Sequence, residues 1–341
     1  MGLGGVALDV DGARISAVRP CPDAPSRPLV PGFVDLQCNG MEDLDVATAS
    51  GGDWDRLDRL LLQGGVTTWC PTLVTAPPET YGPRLRCIAA AAARPPAGRP
   101  HMAGAHLEGP FLGGRPGAHP VGLLRPIDHD WLAALPPVVR LVTLAPELAG
   151  AQRAIAALVG RGVVVSLGHG APTVEQVLAA VDAGAAMVTH LFNGMPPFHH
   201  RDPGLAGVAL TDDRLVVGLI ADLVHVHPTA LRLALRAKGG DGVALVTDAV
   251  ARAAGEAGAL RLADGTLAGS ALTMVEAVRN LVLAVGADLA TAATAASTTP
   301  ARLLGLTDRG RLCAGARADV VALTDDLEVE AVWVGGERVV G

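Results

Sequence analysis

Short apolar runs recur along most of the chain, and each is followed by polar or glycine-rich residues. The runs are rich in β-branched residues and have the length of buried strands. There are eight of them, at residues 32–36, 66–69, 102–105, 138–144, 162–167, 185–188, 215–220 and 242–246.

Amphipathic helical patterns occupy several of the intervals between these runs. They cover residues 53–63, 147–160, 173–183 and 228–237, and the last begins with Pro228, which fits a first helical turn. Alternation of strands and helices predicts parallel strands, because parallel neighbours need long crossover connections. Eight such units predict an α/β fold, a (β/α)8 barrel whose chemistry lies at the carboxyl ends of its strands.

The two ends of the chain carry a different pattern, in which apolar and polar residues alternate as in β-hairpins. The segments concerned are 6–10, 14–18, 318–323 and 329–334. We therefore predict that residues 1–30 and 312–341 combine into one small β-sandwich domain beside a barrel domain of residues 31–311. The helical patterns expected to connect the two domains are 274–285, 289–296 and 300–304.

The composition is that of a compact enzyme or binding protein. Of the 341 residues, 50% are hydrophobic and 18% are charged, and the mean hydropathy is +0.37. The net charge of −7 is spread along the chain without runs of like charge, which disfavours a nucleic-acid surface. Apolar stretches fall short of the ~18 residues of a membrane span, and the first residues do not resemble a signal peptide. We therefore expect a cytoplasmic protein without membrane or nucleic-acid partners.

Polar side chains gather just beyond the predicted strands, where a barrel enzyme carries its chemistry. Glu108, His169 and His190 follow three different strands and offer two nitrogens and one oxygen, a donor set that suits Zn²⁺ or a similar divalent ion. A lone glutamate or histidine is more often structural, but three at strand ends favour a metal site. The other polar residues at strand ends are Gln37, Asn39, Thr72, His106, Asn193, Asp222, His225 and Asp248.

Several motifs together resemble one known family. They are PGFVDLQCNG at 31–40, HLEGPF at 106–111, GH at 168–169, THLFNGMPP at 189–197, RDPG at 201–204, IAD at 220–222 with His225, VTDA at 246–249 and GSALTM at 269–274. On these motifs the chain resembles the N-acetylglucosamine-6-phosphate deacetylase family within the amidohydrolase superfamily. The resemblance implies metal-dependent hydrolysis of the acetamide of N-acetylglucosamine 6-phosphate, giving glucosamine 6-phosphate and acetate.

The end of the first strand departs from a common pattern of that superfamily. Many members carry His-x-His there, which contributes to a second metal, whereas this chain has Gln37 and Asn39. Their spacing of two places both side chains on the barrel-facing side, and amides are poor ligands for Zn²⁺. We predict a vestigial second metal site and one divalent ion per subunit, Zn²⁺ before Fe²⁺, Mn²⁺, Co²⁺ or Ni²⁺.

The resemblance also implies roles for other residues. Asp248 matches the family's general base and acid, which accepts a proton from metal-activated water and returns it to the leaving amine. His119 matches a histidine that polarises the acetamide carbonyl with the metal. Arg201 and His225 match the phosphate side. The substrate-binding positions implied are Ala118, His119, Asn193, Gly194, Arg201, His225, Leu267, Ala268, Gly269 and Ser270. A homodimer is also implied.

Two other functions would use many of the same residues. An amidohydrolase could act on another N-acetyl amino-sugar phosphate or on another amide, although Arg201 beside Asn193 favours a sugar phosphate. A non-catalytic sugar-phosphate sensor on the same fold is expected to have lost Asp248 or a metal ligand, and this chain has both.

Overall fold

A nearly closed parallel barrel forms the centre of the protein, in a computed structural model that describes residues 5–24, 27–95, 97–252 and 260–341. Neighbouring strands pair in the order of the chain. The (β/α)8 prediction is therefore confirmed. The eight barrel strands are Phe33–Cys38, Val66–Val74, Ala105–Glu108, Val139–Leu144, Val164–Leu167, Met187–Val188, Val216–Leu219 and Val243–Leu245.

Specific contacts join the first barrel strand to the eighth. The backbone N–H of Asp248 donates to the carbonyl of Gln37 at 2.9 Å. The fully buried carboxylate of Asp35 accepts a hydrogen bond from the hydroxyl of Thr247 at 2.6 Å. Burial raises the pKa of Asp35 to about 6 in spite of that hydrogen bond. Side chains as well as backbone groups therefore close the barrel.

The third strand lies further along the chain than the apolar pattern predicts. The pattern indicates residues 102–105, whereas the strand is Ala105–Glu108. His106 and Glu108 are buried, and their spacing of two places them on one face of the strand. The apolar pattern does not reveal this strand, because two of its four buried residues are polar. Both side chains consequently belong to the strand itself and not to the loop after it.

Helices follow most of the barrel strands, and all those that the sequence predicts are present. Threonine caps begin two of them, since Thr173 and Thr273 each accept a backbone N–H in a capping box. The helices are Asp53–Gln63, Pro78–Ala92, His129–Ala133, Ala151–Val159, Val174–Asp182, Gly204–Thr211, Pro228–Lys238, Met274–Asn280, Leu289–Ala293 and Thr299–Leu303. Short 3-10 turns are Val121–Leu123 and Gly240–Gly242, and π-helical turns are Leu281–Val285 and Thr294–Thr298.

Three of these helices were not predicted from the sequence. Gly204–Thr211 is buried along almost its whole length, so it has no polar face to produce a helical period. Pro78–Ala92 contains an internal proline, Pro83, which normally signals a break. His129–Ala133 is too short for a period to emerge.

Both ends of the chain contribute to a small β-sandwich domain, as predicted. One antiparallel sheet consists of Glu337–Val340, Val329–Val334, Val320–Leu323 and Leu29–Pro31. The hairpin of Val6–Asp11 and Arg14–Pro20 joins it through the N–H of Ile15, which donates to the carbonyl of Ala316 at 2.9 Å. The domain boundaries at residues 30 and 312 stay predictions. The remaining short strands are Gly40–Met41, Leu44–Asp45 and His101–Met102.

None of the helices in the described part of the chain combines the length and the apolar character that crossing a bilayer requires.

Candidate metal centre and active site

Three of the predicted site residues have an unusual backbone conformation just after barrel strands. His169, His190 and Asp248 have φ angles of 53°, 24° and 47°, a region that residues other than glycine seldom adopt. All three side chains are buried. Such backbone strain persists only where the surrounding structure enforces it, and it concentrates at functional sites.

Two histidine rings converge on one buried carboxylate. Nε2 of His169 lies 3.0 Å from Oε1 of Glu108, and Nε2 of His190 lies 3.1 Å from the same oxygen. The two Nε2 atoms are 2.9 Å apart. Nδ1 of His169 donates to the carbonyl of Arg115 at 3.2 Å. This hydrogen bond holds Nδ1 away from the cluster and directs Nε2 toward it.

The Glu108, His169 and His190 cluster fits a divalent cation. Its edges approach the separation of ~3.3 Å between ligands at ~2.0 Å from a tetrahedral ion. Burial raises the pKa of Glu108, but hydrogen bonds from His169 and His190 outweigh that effect and hold the pKa well below its usual range. An anionic oxygen therefore faces two imidazole nitrogens in a buried position. This donor set and its burial suit a divalent cation.

His119 lies beside this cluster with a different geometry. Its Nε2 is 3.8 Å from Oε2 of Glu108, and ligand atoms of His119, Glu108 and His169 lie within 4.8 Å of one another. The backbone N–H of Thr75 donates to Nδ1 of His119 at 3.4 Å, and the Thr75 hydroxyl is 2.9 Å from it. Since Nδ1 accepts, Nε2 of the neutral ring carries the hydrogen. Burial lowers the pKa of His119 to about 3, so the ring is a neutral N–H donor.

Gln37 and Asn39 act as hydrogen-bond donors in this structure. Nε2 of Gln37 lies 3.0 Å from Oε1 of Glu108 and 3.0 Å from Oδ1 of Asp248. Nδ2 of Asn39 donates to the same Asp248 oxygen at 2.9 Å. The hydroxyl of Thr189 donates to Oε1 of Gln37 at 2.7 Å, which fixes the orientation of that amide. The two amides thus direct N–H groups at carboxylates that a second cation would otherwise neutralise.

Asp248 is a buried carboxyl group whose two oxygens differ. Oδ1 accepts from Gln37 and Asn39, whereas Oδ2 has no hydrogen-bond partner among the residues that the structure describes. Burial and the charge of Glu108 raise the pKa of Asp248 to about 7. A carboxyl group that exchanges its proton near neutral pH suits a general base that later serves as a general acid.

His106 lies inside the barrel and not with the ligands at its end. Its Nε2 is 2.8 Å from the hydroxyl of Thr143, and its Nδ1 is 3.2 Å from the carbonyl of Leu36. Burial lowers its pKa to about 4. With both ring nitrogens in hydrogen bonds, His106 is a core residue and has no free nitrogen for a metal.

A cavity of about 540 Å³ has the metal cluster and Asp248 on its wall, which is within the usual size range of small-molecule sites. Ser270 lies outside the lining, and its buried hydroxyl donates to the carbonyl of Thr247 at 2.5 Å. The predicted substrate-binding positions that line the cavity are Ala118, His119, Asn193, Gly194, His225, Leu267, Ala268 and Gly269.

Arg201 is not among the residues that line this cavity. It is exposed, and its Nη1 lies 3.1 Å from Nε2 of His200. The arginine on the cavity wall is instead Arg261, which pairs with Leu267 across a hairpin. Arg261 is not among the residues predicted from the sequence, although an Asp264-Gly265 turn signal marks that hairpin.

Two threonines that orient side chains of the site are likewise absent from the residues predicted from the sequence. Thr75 supplies the contacts that fix the His119 ring, and Thr189 fixes the Gln37 amide. Threonine in a buried strand or at its end is common for packing reasons alone. The sequence offers no signal that separates these two from other threonines, except that Thr189 directly precedes His190.

A second and larger cavity, about 760 Å³, lies apart from this site. Its lining includes Phe111, Arg125, Trp131 and Arg153 and contains none of the metal-cluster residues. Volume alone therefore does not locate the chemistry, whereas the buried polar cluster does.

The barrel, the buried carboxylate with two histidines and the acidic residue after the eighth strand together define a metal-dependent hydrolase. The amidohydrolase family model matches residues 29–339. The chain belongs to the amidohydrolase family.

Within that family, its relatives are amino-sugar phosphate deacetylases. The chain is 42% identical to human N-acetylglucosamine-6-phosphate deacetylase over 359 residues, covering 93% of this chain and 84% of the relative. It is 38% identical to the N-acetylgalactosamine-6-phosphate deacetylase of Escherichia coli, covering 95% and 92%. It superposes with a TM-score of 0.90 on a mutant Mycobacterium smegmatis N-acetyl-D-glucosamine-6-phosphate deacetylase in complex with N-acetyl-D-glucosamine-6-phosphate, at 38% identity, covering 98% and 94%.

Proposed function

We propose that this protein hydrolyses the acetamide of N-acetylglucosamine 6-phosphate to glucosamine 6-phosphate and acetate. The observation that carries the proposal is the buried Glu108, His169 and His190 cluster sharing a cavity with Asp248 and the neutral N–H donor His119. The relatives that match almost the whole chain and bear this activity in their names support the choice of substrate.

Glu108, His169 and His190 would hold the metal, and their mixed nitrogen and oxygen donors favour Zn²⁺ over Fe²⁺, Mn²⁺, Co²⁺ or Ni²⁺. When bound, such an ion acts as a Lewis acid and lowers the pKa of water toward ~7. His169 keeps its Nδ1 hydrogen on the Arg115 carbonyl, which leaves Nε2 to the metal. Glu108 contributes the anionic oxygen.

Asp248 and His119 carry out the proton and polarisation steps. Oδ2 of Asp248, the oxygen not used by Gln37 and Asn39, accepts the proton of the attacking water. The Nε2 hydrogen of His119 donates to the acetamide oxygen as negative charge develops there. Asp248 then returns the proton to the amine nitrogen as the C–N bond breaks.

The remaining lining residues bind the sugar. We assign backbone and amide contacts to Asn193, Gly194 and the hairpin residues Leu267, Ala268 and Gly269, and a supporting place to Ala118. Gly194 has a φ of 59°, and a Cβ there would lie 2.8 Å from Nδ1 of His169. Glycine at this position therefore leaves the metal ligand undisturbed. We assign His225 to the phosphate. Ser270, which lies behind the lining, stabilises the cavity wall through its hydrogen bond to the Thr247 carbonyl.

Release of acetate tests the proposal directly. The substrates are N-acetylglucosamine 6-phosphate, its galacto epimer and the two unphosphorylated sugars, each with metal-loaded enzyme. We expect turnover of the phosphorylated gluco compound. Preference for the galacto compound would assign the activity of the Escherichia coli relative instead. Binding without any acetate release would favour the sensor.

One divalent ion per chain is the expected metal content. The reason is that Gln37 and Asn39 direct N–H groups at Glu108 and Asp248, where a second ion would need ligand atoms. Elemental analysis of purified protein measures the stoichiometry, before and after brief chelation. Two equivalents that both resist chelation would contradict the single-metal assignment.

Arg201→Ala is expected to raise KM for the phosphorylated sugar by roughly 10- to 150-fold. This range corresponds to the ~1.5–3 kcal/mol net contribution of a charge-assisted hydrogen bond. The unphosphorylated sugar should be almost unaffected, because it has no partner for the guanidinium. Arg261→Ala is the comparison, since Arg261 lines the cavity of its own chain. Equal losses of Arg201→Ala on both sugars would make Arg201 structural.

We also propose a homodimer and a cytoplasmic location. The exposed position of Arg201 outside its own cavity supports a dimer in which it approaches the partner's substrate. Light scattering measures the subunit count, and a monomer that retains full activity would exclude a shared phosphate site. A phosphorylated, doubly charged substrate supports the location, because such compounds do not cross membranes unaided.

A further inference from the structure

Asp222 and His225 form a buried pair after the seventh barrel strand. Nδ1 of His225 lies 2.6 Å from Oδ2 of Asp222. The two side chains are only 4% and 12% exposed for His225 and Asp222 respectively, yet His225 lines the cavity. A carboxylate can only accept, so Nδ1 of His225 carries a hydrogen. The nitrogen left for a ligand is therefore Nε2.

The two carboxylate oxygens of Asp222 have different hydrogen-bond partners. Oδ1 accepts the backbone N–H groups of Val224 at 2.9 Å and of His225 at 2.8 Å. These bonds stabilise a tight turn in which Leu223 has a φ of 65°. Oδ2 contacts the imidazole. Burial raises the pKa of Asp222, but the hydrogen bonds from His225 and the turn lower it overall, so the carboxyl group is ionised.

We propose that Asp222 is a positioning residue that acts through His225 on the phosphate of the substrate. It fixes the plane of the ring and keeps a hydrogen on Nδ1. With Nδ1 of the ring held by the carboxylate, Nε2 is the atom offered to the phosphate, and a hydrogen bond from Nε2 to a phosphate oxygen has a fixed direction. This inference rests on the proposed function, which places a phosphorylated sugar in the cavity.

Asp222→Asn isolates the contact with the ring. The variant retains one oxygen for the turn but replaces Oδ2 by an NH2 group, which cannot accept the Nδ1 hydrogen. We expect KM for N-acetylglucosamine 6-phosphate, and Kd for glucosamine 6-phosphate by calorimetry, to rise roughly tenfold. KM for the unphosphorylated sugar should change less than about twofold, and kcat should fall much less than KM rises.

A matched control lies at the other end of the seventh strand. Asp212 accepts the backbone N–H of Arg214 at 3.0 Å in the same kind of turn and does not line the cavity. Asp212→Asn should leave KM, Kd and kcat unchanged. A tenfold rise in Kd in that variant would show that turn stability, and not the His225 ring, controls the affinity.

His225→Gln completes a double-mutant cycle. The glutamine amide can donate to the phosphate, but it lacks the Nδ1–H group that contacts Asp222 in the wild type. Asp222→Asn should therefore have less than about a twofold effect in the His225→Gln background. An undiminished tenfold effect there, or equal effects on phosphorylated and unphosphorylated sugars, would overturn the inference. If the wild type deacetylates no sugar phosphate, the proposed function fails, whereas the calorimetric cycle with glucosamine 6-phosphate still decides the role of Asp222.

Discussion

Asp248→Asn is expected to lose roughly 10²- to 10⁴-fold in kcat while keeping its metal and its affinity for the substrate. The asparagine carbonyl can still accept from Gln37 and Asn39 at the place of Oδ1. An amide at the place of Oδ2, however, can neither take a proton from water nor return it to the amine. The shape of the site is therefore preserved while the proton transfer is removed.

Three measurements separate this effect from misfolding. Metal content, the melting temperature and Kd for the sugar phosphate should all stay close to wild type, and only kcat should collapse. Because the carboxyl group is buried and its pKa is raised to about 7, the uncharged variant should be at least as stable as the wild type at neutral pH. More than about a third of the wild-type kcat in Asp248→Asn would exclude Asp248 as the base.

Glu108→Gln is expected to lose the metal and at least ~10³-fold in kcat/KM. A Lewis acid is worth several kcal/mol of transition-state stabilisation, which corresponds to that range. The amide cannot replace the anionic oxygen on which both His169 and His190 converge at about 3 Å. If the NH2 group of the introduced glutamine took the place of Oε1, it would also face the side-chain N–H of Gln37, which donates to that oxygen in the wild type.

Elemental analysis and acetate release on the same sample measure both losses. Glu276→Gln is the matched control, because Glu276 occupies a capping box in the helix Met274–Asn280, where glutamine serves equally well. Its metal content and turnover should equal those of the wild type. If Glu108→Gln kept one equivalent of metal and its activity, the site would have to consist of His119, His169 and His190 instead.

The apolar runs and the amphipathic helical segments between them predict the architecture. Buried parallel strands are apolar on both faces, so the runs and the helices between them reveal the barrel. The third strand is displaced because two of its four buried residues, His106 and Glu108, are polar and interrupt the apolar run. The helix Gly204–Thr211 is buried all round and therefore has no amphipathic period.

The site was predictable in its residue types and less so in its contacts. Glu108, His169 and His190 lie at or just beyond the ends of separate strands, and the barrel brings those strand ends together. Which partner each side chain meets depends on rotamers and loop paths that no spacing encodes. Two arginines show this. Arg201, which lies in a family motif, is exposed, whereas Arg261, on a hairpin that was not predicted, lines the cavity.

The shared sheet of the two chain ends has a consequence for synthesis on the ribosome. Val30 pairs with Val321, so the strand Leu29–Pro31 lacks its partner until roughly 290 further residues have been made. At ~5–20 residues per second, that interval lasts about 15 to 60 s. During it the barrel strands can assemble in order from local neighbours, while the β domain must wait. Until Val321 has been made, the strand Leu29–Pro31 therefore has an unpaired edge, and unpaired strand edges are prone to aggregation.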